Sequence, residues 1–176
     1  MLLVSIRHLP TEWNERGLLQ GQGDSPLLDI GPASEAAIRE NLDRLTRLGA
    51  FDVILTSELR RTQVTAARYG FDRFTPEPLL NELDFGEWEG RPRDAFYGAF
   101  GDRWFSDPRS LVLGESLAGF QSRVLCFLQK YRRRRAVLAF SHGSWMRALR
   151  SILTHGDIRA MNTGWIENNE ILEARI

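Results

Sequence analysis

The sequence predicts a single-domain three-layer α/β/α sandwich built on a mostly parallel sheet. Three observations predict it. Leu2 to Ile6, Asp52 to Thr56 and Ala136 to Phe140 are short apolar runs, too brief for helices and suited to buried strands. Between them lie longer stretches whose apolar residues recur at helical spacing. The chain of 176 residues can bury about 70% of its extended surface, enough for one core and hardly enough for two domains. Strands alternating with helices imply a parallel sheet covered on both faces.

Taken in order, the first strand runs straight into Arg7-His8. Residues 9–31 are rich in Gly, Pro, Asn and Asp and read as a long loop, of the kind usually kept for function. Pro32 to Leu48 repeats Ile38, Leu42, Leu45 and Leu48 as a core-facing stripe, with Pro32 in its first turn and Gly49 at its end. A short helix is expected from Leu59 to Tyr69, and a Pro-interrupted edge strand near Phe74 to Leu80. Asn81 to Leu113 reads as irregular, with one helix around Arg93 to Phe100. Glu115 to Tyr131 is helical, with Leu117, Phe120, Val124 and Leu128 on one face. Trp145 to Leu153 forms the helix behind the third strand, and a last strand lies within Ile166 to Ile176. The whole chain, 1–176, reads as one domain without repeat or linker.

Composition excludes several classes of partner. The 23 basic and 23 acidic residues give a formal net charge of zero, whereas binding to nucleic acid or an anionic membrane calls for an excess of positive charge. Hydrophobic residues at 43% and charged residues at 26% exclude disorder. Of the 23 cations, 22 are Arg and one is Lys130. Arg grips phosphate bidentately, but a codon preference explains the bias more simply. The run Arg132 to Arg135 falls between a helix end and a strand, where cations stay solvated. The single cysteine, Cys126, sits in an apolar helical pattern and is expected to be a packed thiol. No leader-like or membrane-spanning segment is recognisable, so a cytoplasmic protein is expected. Exposed aromatics in the lid or last strand permit a homodimer without requiring one.

Ligands of open parallel sheets bind beyond the carboxyl ends of the strands. After the first strand comes Arg7-His8, after the second Ser57-Glu58-Leu59-Arg60-Arg61, and after the third Ser141-His142-Gly143. Two of the three histidines and several arginines therefore meet at one sheet edge, while His155 is expected in an exposed loop. No set of metal-ligand spacing accompanies them, and nearby arginines would repel a cation. No G-x-S-x-G elbow exists. Arginine with histidine suits an anion: guanidinium forks neutralise a phosphoryl group, and a neutral imidazole can attack its phosphorus.

Six motifs in order then resemble the histidine phosphatase, or phosphoglycerate mutase-like, superfamily. Arg7-His8, Thr11 and Asn14 resemble R-H-G-x-T-x-x-N; Gln20-Gly21 with Asp24-Ser25-Pro26-Leu27 resembles Q-G-x-x-D-x-P-L. Ser57, Leu59, Arg61, Thr65 and Ala66 resemble S-x-L-x-R-A-x-x-T-A, and Glu82 to Gly90 resembles E-x-x-F-G-x-W-E-G. Gly114-Glu115-Ser116 and Ser141-His142-Gly143 complete the series. The resemblance implies a metal-independent, cofactor-free phosphomonoester hydrolase acting on a small phosphorylated metabolite. It implies that His8 is the nucleophile and that Arg7, Arg61 and His142 hold the phosphoryl oxygens. Glu82 would act as general acid and base, Asn14 would reach the phosphate, and Gln20, Gly21 and Gly143 would complete the binding loops. The phosphatase branch fits best, with the α-ribazole phosphatases most similar.

The family's glycine after the histidine is Leu9 here, and Thr62 replaces an alanine. Leucine would hinder a glycine-only conformation or a close approach of phosphate, so a protein that binds phosphate without turnover is one alternative. Phosphoglycerate mutase-type transfer is the other. Residues 91–112 are read as a lid that sets specificity, with Arg91, Arg93, Arg103 and Arg109 among Phe96, Tyr97, Trp104 and Phe105.

Overall fold

The computed structural model describes residues 1–176 and contains one sheet of five strands. These are β1 (Leu2–Arg7), β2 (Val53–Thr56), β3 (Thr75–Pro76), β4 (Ala136–Ser141) and β5 (Ile171–Arg175), in spatial order β3-β2-β4-β1-β5. β1 to β4 run parallel, and β5 pairs antiparallel with β1 at one edge. Six helices surround the sheet: α1 (Glu12–Glu15), α2 (Pro32–Leu48), α3 (Arg60–Arg68), α4 (Arg93–Ser106), α5 (Leu117–Tyr131) and α6 (Gly143–His155). The expected single-domain sandwich is the observed one. No helix is long and apolar enough to cross a membrane.

Side-chain alternation along the strands divides the core into two layers. Val4, Ile6, Leu138 and Phe140 pack with Ile38 and Leu45 of α2 and Ala66 of α3. On the opposite face, Leu3, Leu55, Val137 and Ala139 join Phe120, Val124 and Phe127 of α5 and Trp145, Met146 and Leu149 of α6. The same layer continues into Phe85, Phe96 and Trp104 beyond the sheet. Arg7 and Ser141, two residues on from Ser5 and Ala139, share this second face by the same parity.

Four expectations are corrected. Residues 9–31 contain α1, because Thr11 and Asn14 form a reciprocal capping box at its start. The helix expected over Arg93 to Phe100 is followed by a second helical stretch that ends at Ser106, the two meeting at a kink where Gly101 takes φ of 45° and ψ of -129°. The continuation carries Trp104 into the core. Cys126 is exposed, because α5 turns Val124 and Phe127 inward and leaves position 126 outside. Arg132 to Arg135 are exposed, as expected, and His155 is exposed but ends α6 instead of lying in a loop.

Two loops that carry the site cross at Gly86 and Gly114. Gly86 has φ of 57°, and a Cβ there would stand 2.9 Å from both Cα and N of Gly114. Gly86→Ala is therefore expected to lower the unfolding free energy by about 1–3 kcal/mol, measured by urea denaturation, with a loss of activity if residues 82–90 shift.

Candidate active site

The parallel register sets the site. Arg7 lies opposite Ser141, and the His8 amide donates to the Ser141 carbonyl at 3.0 Å, so His8 and His142 leave the sheet side by side. Their ring centroids are 5.3 Å apart. β2 delivers Ser57 next to them, its amide bonded to the Phe140 carbonyl at 3.2 Å.

Both tautomers follow from the partners. His8 Nδ1 lies 2.8 Å from the Leu9 carbonyl oxygen, which only accepts, so Nδ1 carries the proton and the lone pair is on Nε2. Burial, then the charges of Arg61 and Arg7, hold the His8 pKa well below the ordinary histidine value. The ring is thus neutral, with its lone pair on Nε2. Arg61 Nε donates to His142 Nδ1 at 3.2 Å, which places the His142 proton on Nε2, donated to Ser57 Oγ at 2.8 Å. Ser57 passes the chain to Thr62 Oγ1 at 2.8 Å, and Thr62 donates to the Leu59 carbonyl. Thr62 in place of alanine therefore extends this network. Burial and the neighbouring Arg61 also push the His142 pKa well down, so it donates as a neutral imidazole and needs no additional proton.

One cavity opens at this edge. Its wall includes Arg7, His8, Asn14, Gln20, Glu82 and Gly143 from the expected set. Glu82, 5% exposed, caps α6: its Oε2 accepts from the Ser144 amide at 2.9 Å and its Oε1 from the Trp145 amide at 3.1 Å. Arg123 and Gln22 hold the Glu82 carbonyl, and Glu115 pairs with Arg123 at 2.6 Å, which gives Gly114-Glu115-Ser116 its place in the motif series. Thr11 donates to Gln20 Oε1, leaving Gln20 Nε2 buried without a partner. Asn14 Oδ1 accepts from Thr11 and Asn168. Arg7 donates Nη1 to the Ile166 carbonyl at 2.6 Å, and burial lowers its pKa to about 10, which leaves it charged at neutral pH. No group of three or more His, Cys, Asp or Glu side chains comes together as metal ligands.

Arg61, His142 and Gly21 stand outside this wall. All three guanidinium nitrogens of Arg61 are committed, to His142, to Gly23 and Asp24, and to the Gly21 carbonyl at 2.6 Å. Gly21 is required by close approach, since a Cβ would lie 2.2 Å from Glu89 Oε1. Glu89 in turn accepts the amides of Gln22 and Gly23, each at 2.7 Å. Arg61, Gly21 and Glu89 therefore clamp the first loop.

The lid segment divides. Arg93, Phe96, Tyr97 and Trp104 line the cavity, whereas Arg91, Arg103, Arg109 and Phe105 are exposed, with Arg103 bonded to Ser110. Sequence reasoning missed Arg147 and Trp165, which also line it. Arg147 lies four residues after Gly143, one helical turn along the same face, and that spacing was the available signal. Trp165 follows an irregular segment and left none.

Leu9 is the informative departure. Its φ is not positive, its side chain is 3% exposed in the α2–α3 layer, and its amide donates to Thr65 Oγ1 at 3.0 Å. The backbone takes an ordinary conformation, and the carbonyl that orients His8 is one any residue supplies. Leu9→Ala is expected to cost about 2–5 kcal/mol of stability, read by urea denaturation, through the cavity left in that layer.

Both buried histidines also tie stability to pH. Their folded pKa values lie below the unfolded value, so the unfolded chain binds more protons as pH falls. Stability is complete above about pH 6.5 and declines below it, at up to about 1.4 kcal/mol per pH unit for each ring. In phosphate-free buffer, Tm should fall between pH 7 and pH 5, and His8→Gln should flatten the slope. A Tm that holds constant over that range would contradict the neutral state assigned to both rings.

Known proteins place this geometry. Residues 3–176 match the model of the histidine phosphatase superfamily, branch 1. Phosphoserine phosphatase 1 of Hydrogenobacter thermophilus is 30% identical over 167 residues, covering 89% of this chain and 77% of that protein. A 2,3-bisphosphoglycerate-dependent phosphoglycerate mutase of Methylobacterium radiotolerans is 35% identical over 169 residues, covering 86% and 78%. The crystal structure of the α-ribazole phosphatase of Shigella flexneri superposes with a TM-score of 0.78 at 27% identity, over 100% of this chain and 91% of that one. The chain belongs to branch 1 of the histidine phosphatase superfamily, and its chemistry is phosphoryl hydrolysis or transfer.

Proposed function

We propose that this protein hydrolyses a small phosphomonoester through a phosphohistidine on His8. One observation carries the reading. Six buried side-chain polar atoms lack a partner, and four of them belong to residues lining the cavity beside His8: Arg7 Nε, Gln20 Nε2, Trp104 Nε1 and Arg147 Nε. All four are donors. Buried donors without partners are costly, and a cavity that gathers them beside a neutral imidazole suits an anion.

His8 Nε2 attacks phosphorus, and the bond from phosphorus to the leaving oxygen breaks as Glu82 gives that oxygen a proton. Water then attacks the phosphohistidine, Glu82 takes a water proton, and the bond between phosphorus and nitrogen breaks to release phosphate. Arg7 and Gln20 offer donors to the phosphoryl oxygens. Arg61 and His142 stand behind His8, and their donors meet the phosphoryl group only by exchanging a present partner; in place, the Arg61 charge favours the phosphorylated ring. Leu9 gives no reason for a binding protein without turnover, because its carbonyl performs the orienting task.

Purified protein with p-nitrophenyl phosphate and a chelator is expected to release phosphate, and His8→Ala to abolish release. Rapid denaturation during turnover should trap a phosphoryl group on His8, detected by mass spectrometry. Glu82→Gln should slow an alkyl phosphate by about 10²–10⁴-fold and p-nitrophenyl phosphate by less, since nitrophenolate leaves without a proton. With 3-phosphoglycerate, free phosphate supports the hydrolase, and conversion to 2-phosphoglycerate would replace it with a mutase.

A further inference from the structure

Beyond His8 and Arg7, the cavity holds two guanidinium groups that the hydrolytic step does not use. Arg147, 7% exposed, has Ser144 Oγ at 3.1 Å as its only hydrogen-bond partner, and its Nε has none. Arg93 is half-buried on the lid. Neither forms an ion pair, nor does Arg7. The three converge on the Trp165 ring, with guanidinium carbons 4.9 Å (Arg93), 5.5 Å (Arg147) and 5.7 Å (Arg7) from its centroid. Trp165 itself is 41% exposed, which puts this cluster at the cavity mouth. Burial works against the charge on Arg147, and the acidic group that favours it most is Glu82.

Glu82 cannot serve as the lasting counterion. Its oxygens already accept three amides, those of Leu83, Ser144 and Trp145, and while the intact substrate is bound it carries the proton that the leaving oxygen will take. At that moment the wall holds three guanidinium charges. A phosphoryl dianion answers two of them. One positive charge remains, on arginines that are buried (Arg7, Arg147) or half-buried (Arg93) and have no ion-pair partner.

We propose that the substrate carries a second anionic group, a carboxylate or a further phosphoryl group, bound by Arg147 and Arg93 beside Trp165. The assignment rests on the phosphomonoester reading above and makes Arg147 the principal specificity residue. Its guanidinium offers free donors suited to two oxygens of one anion. Trp165, with cations over its ring, holds the arginines in place as a cation–π partner.

Two matched pairs of substrates test this and separate the two anion sources. Glycerol 3-phosphate and 3-phosphoglycerate differ by a hydroxymethyl against a carboxylate; fructose 6-phosphate and fructose 1,6-bisphosphate differ by a second phosphoryl group. The expected result is that kcat/KM favours the more anionic member of at least one pair by about tenfold or more, a difference carried mainly by KM. Arg147→Met should collapse that ratio, and Arg147→Lys should restore part of it. Should Arg147→Met fail to fold, Arg93→Gln carries the same measurement. Equal rates within both pairs, or a preference that survives Arg147→Met and Arg93→Gln, would overturn the subsite while leaving the phosphatase intact. Absence of hydrolysis for all four compounds and for p-nitrophenyl phosphate would overturn both.

Discussion

The parallel pairing of β1 with β4 is the constraint on which the site depends. Leu2 to Arg7 are matched one for one with Ala136 to Ser141, and the ladder runs one bond further through the His8 amide. A slip by one residue would exchange the two faces of β1 and turn Ile6 toward the lid and Arg7 into the α2–α3 layer. The register thus sets the level at which the two imidazoles emerge and the side on which the first guanidinium projects. The core layers enforce it, because both faces of these strands are apolar and filled.

Rigid strand ends alone do not make a cavity, and the remainder comes from two long irregular segments, before α2 and between β3 and α5. Their backbone groups need partners, and carboxylates supply them. Glu89 accepts amides of the first segment, Asp24 those at the start of α3, Asp84 that of Gly86, and Glu82 those of α6. Glu89, Asp24 and Glu82 each join a loop to another element, and Asp84 closes a turn within its own loop, so the family motifs are largely a set of clamps. The buried groups with unspent hydrogen-bonding capacity are fewer, and four of the six belong to residues that line one cavity.

This division explains what was legible in the sequence. The three long strands and α2, α3, α5 and α6 were readable from apolar runs, a stripe and their terminating residues, because those signals are local. His8, Arg7 and Glu82 were readable from chemistry and motif order together. The roles of Gly21 and Arg61 were less so: a motif letter does not distinguish a residue that faces a ligand from one that holds the loop that does. Arg147 was hidden within an amphipathic helix, where an arginine ordinarily marks the solvent side, and only the docking of the lid over α6 buries it. Cys126 read as packed because the apolar stripe of α5 is wide enough to suggest two alignments.

Leu9 has a consequence for how such a family can drift. The group that orients the His8 ring is a main-chain oxygen, and the genetic code does not choose main-chain atoms. Selection at that position therefore acts on volume and backbone shape, and the side chain is free to be recruited elsewhere. Here it has been recruited into the hydrophobic layer beneath the sheet edge, so one residue now serves folding through its isobutyl group and holds the His8 ring through its carbonyl. Lineages that make this exchange would bind their first loop more firmly to the domain while losing the most recognisable letter of their signature.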